Sequence, residues 1–196
     1  MVLLNATKVK VLDTIAKAGP NARLSGHEIA SHLSISNQNA PEMLDRLLRL
    51  LASYTILTCS QGNHESKPVR EYGLAPVANH FLPNEDGVSL VPILELHQDN
   101  LIVDTWQYWK EELHLTRFME RLDLSTGLDA RLNEIFNKAM VDTSIIVIKE
   151  VLNSYHGFDN LKSLVDVGGG LGIYLNMIIS EYPKIKGINL DLPYVI

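Results

Sequence analysis

The residues best suited to chemistry gather near the end of this sequence. Leu164-Val165-Asp166-Val167 is a short apolar run carrying one acid, and Gly168-Gly169-Gly170-Leu171-Gly172 follows it directly. Glycines permit a tight turn and let backbone approach a ligand closely, while the start of a following helix offers unbonded amides. Ile173 to Tyr182 has the composition of that helix, Pro183 ends it, and Ile185 to Leu190 reads as a second strand finishing at Asp191. An acid about twenty residues beyond a glycine turn is placed to accept hydrogen bonds from ribose hydroxyls. Strand, glycine turn, helix, strand and acid together spell a nucleoside-binding βαβ unit.

The glycine spacing narrows the ligand. A dinucleotide fingerprint needs a third glycine where this chain has Ile173, which disfavours NAD. Asp166, Gly168, Gly170 and Gly172 instead write acid-x-Gly-x-Gly-x-Gly, the pattern of S-adenosylmethionine-dependent methyltransferases. That cofactor has no pyrophosphate and does not need a phosphate cradle. The plainer reading is that the glycines only turn a strand into a helix; the placement of Asp191 favours a ligand site.

Such a site needs elements to hold it. The 196 residues, 46% hydrophobic and 20% charged, suffice for one large domain or two small ones. A formal charge of -6 opposes a nonspecific phosphate-binding face. Cys59 is the single cysteine and cannot form an internal disulfide, which fits a reducing compartment; a cytoplasmic location is expected. No run approaches the roughly 18 apolar residues of a membrane span, so no membrane partner is expected. Met1 to Leu4 is too short for a signal-peptide core. Val2, Leu3 and Leu4 read as helix interior without a cap, giving the expectation of a missing upstream segment.

From Leu3 to Lys17, Leu4, Val11, Leu12 and Ile15 recur at helical spacing, and Gly19-Pro20 stops the helix. Ser25 followed by Glu28 is a capping box opening a short helix to about Leu33. Asn39-Ala40-Pro41 opens a third, striped by Leu44, Leu47, Leu48 and Leu51. Tyr54 to Cys59 and Val69 to Leu74 are β-like, with Gly62-Asn63 as the predicted turn between them. Three helices and a hairpin give a winged-helix layout. Its third helix sets Glu42 and Asp45 beside Arg46 and Arg49, so the charges cancel and no nucleic-acid partner is expected. Further on, Leu90 to Leu113 is predicted helical, with Trp106 and Trp109 spaced as a core-facing stripe rather than as a phenolic pocket lining. Leu128 to Met140 and Ser144 to Tyr155 read as two helices, with Asp142 or Thr143 capping between them.

A wider resemblance joins these pieces. Leu161 to Gly170 (LKSLVDVGGG) and Tyr182 to Pro193 (YPKIKGINLDLP) are similar, nearly residue by residue, to plant caffeic acid and flavonoid O-methyltransferases. So are Ala40 to Tyr54 (APEMLDRLLRLLASY) and Tyr72 to Val77 (YGLAPV). The resemblance implies a mainly α winged-helix dimerisation domain over 1–85 and a helical connector with substrate-pocket helices over 86–160. It implies the first βαβ unit of a Rossmann-like methyltransferase domain over 161–196. S-adenosylmethionine would meet Gly168 and Gly170, with Asp191 on the ribose and Ser144 near the methionine moiety; Phe136 and Met140 would line the phenolic pocket. The implied partners are a second copy or a related O-methyltransferase, and a small phenolic of caffeic acid or flavonoid type. The family's adenine-binding segments, catalytic histidine and orienting acids have no counterpart before Ile196, and all seven histidines precede the glycine turn. The expectation is therefore a partial cofactor site, no catalytic residue and no metal. A chain inactive alone, or serving as a non-catalytic dimerisation partner of full-length relatives, follows from that.

Overall fold

The computed structural model describes residues 1–64, 67–107 and 129–191, in two units, Met1–Gln107 and Tyr108–Ile196. The first unit opens with α1 (Val2–Lys8) and α2 (Val11–Lys17), where apolar spacing predicts one helix. The break falls at Lys10, which takes a left-handed φ of 63° and bonds its amide to Thr7 O at 3.0 Å. One turn earlier the Thr7 hydroxyl donates to Leu4 O at 2.8 Å, offering that carbonyl an alternative to regular helix bonding. Both helices still bury an apolar side: Ala6, Val11, Leu12 and Ile15 are closed to solvent.

Helix α3 (Gly26–His32) starts at the expected capping box, with the Ser25 amide donating to the Glu28 carboxylate at 2.7 Å. Helix α4 (Ala40–Ser53) carries Pro41 in its first turn and buries Leu44, Leu48 and Leu51, while Leu47 is half-buried. The antiparallel hairpin β1 (Leu57–His64) and β2 (Lys67–Leu74) corrects the expected turn. Gly62 and Asn63 lie within β1, opposite Val69 and Pro68. The Leu57 to Leu74 register carries the ladder past them, and a Cβ at Gly62 would collide with the Glu71 carboxylate that crosses it. Leu24 adds a bridge to Tyr72 on the other edge of β2. Tyr72 itself is fully buried; its Oη donates to Asp45 Oδ1 at 2.7 Å, and Asp45 Oδ2 also meets Arg49 (3.3 Å) and Arg70 (3.2 Å). Burial first, then the bond to Asp45, holds the phenol above its ordinary pKa of 10.0.

A 3-10 turn (Pro76–Phe81) leads to α5 (Val91–His97) and α6 (Asn100–Gln107) where one longer helix was expected. Asp99 starts the new helix, its carboxylate accepting from the Leu101 amide at 3.1 Å. The side chains of Trp106 and Trp109 lie outside the described residues.

In the second unit, α7 (Ala130–Ser154) is one continuous helix of 25 residues rather than two. Its cap is Asp129, which accepts from the Arg131 and Leu132 amides at 2.9 and 3.1 Å. Asp142 does not interrupt it. That carboxylate is buried in mid-helix and paired with Lys138, one turn earlier, at 3.1 Å, so it has no need of backbone amides. Strand β3 (Ser163–Val167) lies parallel to β4 (Lys186–Leu190), joined by α8 (Ile173–Glu181). Ile148, Val151 and Leu152 of α7 pack with Ile178 and Ile185. Gly187 lets α8 sit close on the sheet, since a Cβ there would lie 3.1 Å from Leu175 Cγ. The other sheet face is open, with Val167 74% and Leu190 55% exposed. Among the described residues no helix is long and apolar enough to cross a membrane.

Candidate functional site

The parallel register brings the end of β3 beside the end of β4, and this places the glycine turn against Asp191. The Gly168 amide bonds to Leu190 O at 2.8 Å and the Gly172 amide to Gly169 O at 2.8 Å, folding the chain back into α8. Gly168 and Gly170 have φ of 77° and 54°, in the region that side-chain-bearing residues avoid. A Cβ at either would meet nothing within 4 Å, so both present bare backbone to open space. The Gly170 amide donates to Asp191 Oδ2 at 2.6 Å. Gly168, Gly170 and Asp191 are thus brought together as expected from the sequence, with one difference: a carboxylate oxygen of Asp191 is engaged by the turn itself.

Two further side chains belong to this turn. Asn189 Nδ2 donates to Gly170 O at 2.9 Å, so both ends of Gly170 are held from the end of β4. Asp166 stands opposite Asn189 in the register, and a Cβ on Gly169 would collide with Asn189 Oδ1 and lie 2.6 Å from Asp166 Oδ2. Both of those oxygens are buried without a hydrogen-bond partner among the described residues. Asn189 escaped the sequence reading. The available signal was its position two residues before Asp191, which puts the two side chains on the same side of the strand.

Phe136, Met140 and Ser144 fall at four-residue spacing along α7, forming one stripe. Phe136 and Ser144 are half-buried and Met140 is exposed. No described hydrogen bond links this stripe to the glycine turn; α7 reaches the βαβ unit through Ile148, Val151 and Leu152. The described histidine side chains, His27, His32, His80, His97 and His156, are all exposed. In the first unit, a cleft of about 910 Å³ opens between α3, α4 and the hairpin. Arg46, Arg49 and Arg70 line it together with Glu42 and Asp45, so its charges largely offset one another.

Residues 1–84 match the family model described as the O-methyltransferase dimerisation domain, and residues 124–196 match that of the O-methyltransferase domain. The chain belongs to the O-methyltransferase family. Over 208 residues it is 48% identical to caffeic acid 3-O-methyltransferase 1 of Populus tremuloides, covering 100% of this chain and 56% of the relative. It is 47% identical over 203 residues to caffeic acid 3-O-methyltransferase of Eucalyptus globulus, covering 64% of that relative. The O-methyltransferase chain therefore spans a little over half the length of such relatives. Its fold matches that of CalO1, a methyltransferase of calicheamicin biosynthesis solved with SAH, at TM-score 0.70 and 18% identity over 100% of this chain and 55% of the other. Human N-acetylserotonin methyltransferase, solved with SAM, matches at TM-score 0.68 and 17% identity over 99% of this chain and 55% of the other.

Proposed function

We propose that this chain carries the dimerisation region and the first part of the cofactor site of an S-adenosylmethionine-dependent O-methyltransferase acting on small phenolics of caffeic acid or flavonoid type. The observation that carries the reading is the glycine turn closed onto Asp191 at the end of β4. The residues suit the cofactor, because bare backbone at Gly168 and Gly170 leaves room for a nucleoside and the acid lies beside it. Gly168, Gly170 and Asp191 would hold the ribose side, and Ser144 would lie near the methionine moiety. Phe136 and Met140 would face the phenolic. Once bound, the cofactor supplies an electrophilic methyl group. The chain's own residues would bind and orient; a general base must stand within hydrogen-bond reach of the phenol, and the exposed histidines described above have no such setting. In the same reading, 1–85 is a winged helix, 86–160 a connector and 161–196 the start of the Rossmann-like part.

A second role is supported by the surface of α4. Met43, Leu50 and Tyr54 recur along one side of that helix at 60%, 42% and 70% exposure, an apolar stripe suited to pairing with another copy or with a full-length relative. In that role the 196 residues act as a non-catalytic partner.

Calorimetry with S-adenosylmethionine and a methyl-transfer assay on caffeate test the reading together. The expected result is weak binding, reduced a further ten- to a hundred-fold by Asp191→Ala, with no transfer above background. Tight binding unaffected by Asp191→Ala would overturn the ribose assignment, and measurable transfer would overturn the inactivity.

A further inference from the structure

We propose that Asn189 is a positioning residue for the site proposed above: it holds Gly170 in its ligand-ready backbone conformation, and together with Asp166 its side chain is also what requires glycine at Gly169. The inference rests on the cofactor reading for its purpose, but its geometry stands without it. Gly170 sits at φ 54°, where glycine is permitted and also free to rotate. A turn made of glycines therefore needs an anchor from outside. Gly170 has two: its amide donates to Asp191 Oδ2 at 2.6 Å, and its carbonyl accepts from Asn189 Nδ2 at 2.9 Å. If the second bond is lost, Gly170 is free to rotate about its own φ and ψ, and that rotation lets the preceding peptide turn its N–H away from Asp191.

The other end of Asn189 says why an amide is kept there. Among the described residues its Oδ1 is buried without a hydrogen-bond partner, and so is the Asp166 Oδ2 beside it. Two buried acceptors side by side oppose folding, and an apolar side chain of the same shape would spare one of them. The one described bond that Asn189's side chain makes is the one to Gly170, so that bond is what an apolar replacement would forfeit. The motif pattern assigns no importance to Gly169, an intervening position. Sterically it is the tightest glycine of the turn, because a Cβ there would run into both Asn189 Oδ1 and Asp166 Oδ2, whereas Gly168 and Gly170 have open space.

The test uses the full 196-residue chain, labelled for NMR, with Asn189→Leu, Asn189→Asp and Gly169→Ala. In each variant the Gly170 amide resonance should move upfield as its bond to Asp191 weakens. Its exchange protection should fall about ten-fold, while the Leu175 and Ile178 amides of α8 stay in place. In parallel, calorimetry with S-adenosylhomocysteine should show affinity falling about ten-fold in the same variants. An unmoved Gly170 resonance in Asn189→Leu and Asn189→Asp overturns the positioning role whatever the ligand does. An unmoved resonance in Gly169→Ala overturns the steric part. Collapse of the α8 resonances in all three variants would assign Asn189 to packing and also count against the proposal. A wild-type chain that binds no S-adenosylhomocysteine would remove the cofactor reading, and the amide shifts would still decide the clamp.

Discussion

The two pairs of strands in this molecule are stabilised in opposite ways. The β1–β2 hairpin is antiparallel, paired from Leu57 and Leu74 to His64 and Lys67, and its Tyr72 is sunk among helices whose Ile15, Ile29 and Leu48 are closed to solvent. The β3–β4 pair is parallel, joined through α8, and has one face covered and the other open, with Val165, Val167 and Leu190 more than half exposed. The first region is held by a completed core, the second by a smaller cluster shared with α7 and α8 and by a network of backbone and side-chain bonds around glycines. Core packing resists deformation strongly, whereas hydrogen bonds contribute little individually and their geometry matters more than their number.

The largest effect that could break this contrast is on packing. Leu48→Ala should cost the first unit about 2–5 kcal/mol in urea denaturation, because Leu48 is fully buried and a packed core relaxes only in part around a lost side chain. The same truncation at Ile178, in the smaller cluster between α7 and the sheet, should cost less than half as much; equal losses would mean the two regions are equally well packed. A middle effect concerns pH. Because burial and Asp45 raise the Tyr72 pKa above 10.0 in the folded state, the unfolded chain loses that proton first. Stability of the first unit should be flat with respect to this group below about pH 10 and then fall by about 1.4 kcal/mol per pH unit above it. Tyr72→Phe should remove that slope, and a slope surviving in the variant would assign it to another group. The smallest effect is on the open sheet face: Val167→Thr should change stability by no more than about 0.5 kcal/mol, since the side chain is 74% exposed. A larger loss would show that this face is covered in solution.

Sequence reasoning worked where the signal is local and failed where a tertiary partner decides. The Ser25 and Glu28 box is complete within four residues, and it stands as read. The glycine turn and Asp191 were also legible, because a strand, a turn and a helix in that order admit few arrangements. The hairpin turn was misplaced: Gly62-Asn63 has turn chemistry, yet the core-facing register of Leu57 and Tyr72 determines where the chain reverses. Asp142 looked like a cap because acids favour helix starts, but Lys138 one turn earlier lets it stay inside a helix. The break at Lys10 likewise depends on what Thr7 does with its hydroxyl, which apolar spacing does not encode. Asn189 was passed over because its importance comes from a neighbour nineteen positions earlier, Gly170.

The continuity of α7 has a mechanical consequence. At about 1.5 Å of rise per residue, its 25 residues make a rod of some 37 Å. The stripe of Phe136, Met140 and Ser144 lies along one part of that rod, and the Ile148 to Leu152 footing on α8 lies along the next. Two helices hinged at Asp142 would let those parts tilt independently. A single rod gives them one shared degree of freedom, so a side chain that lifts the stripe also levers the helix that begins at the glycine turn.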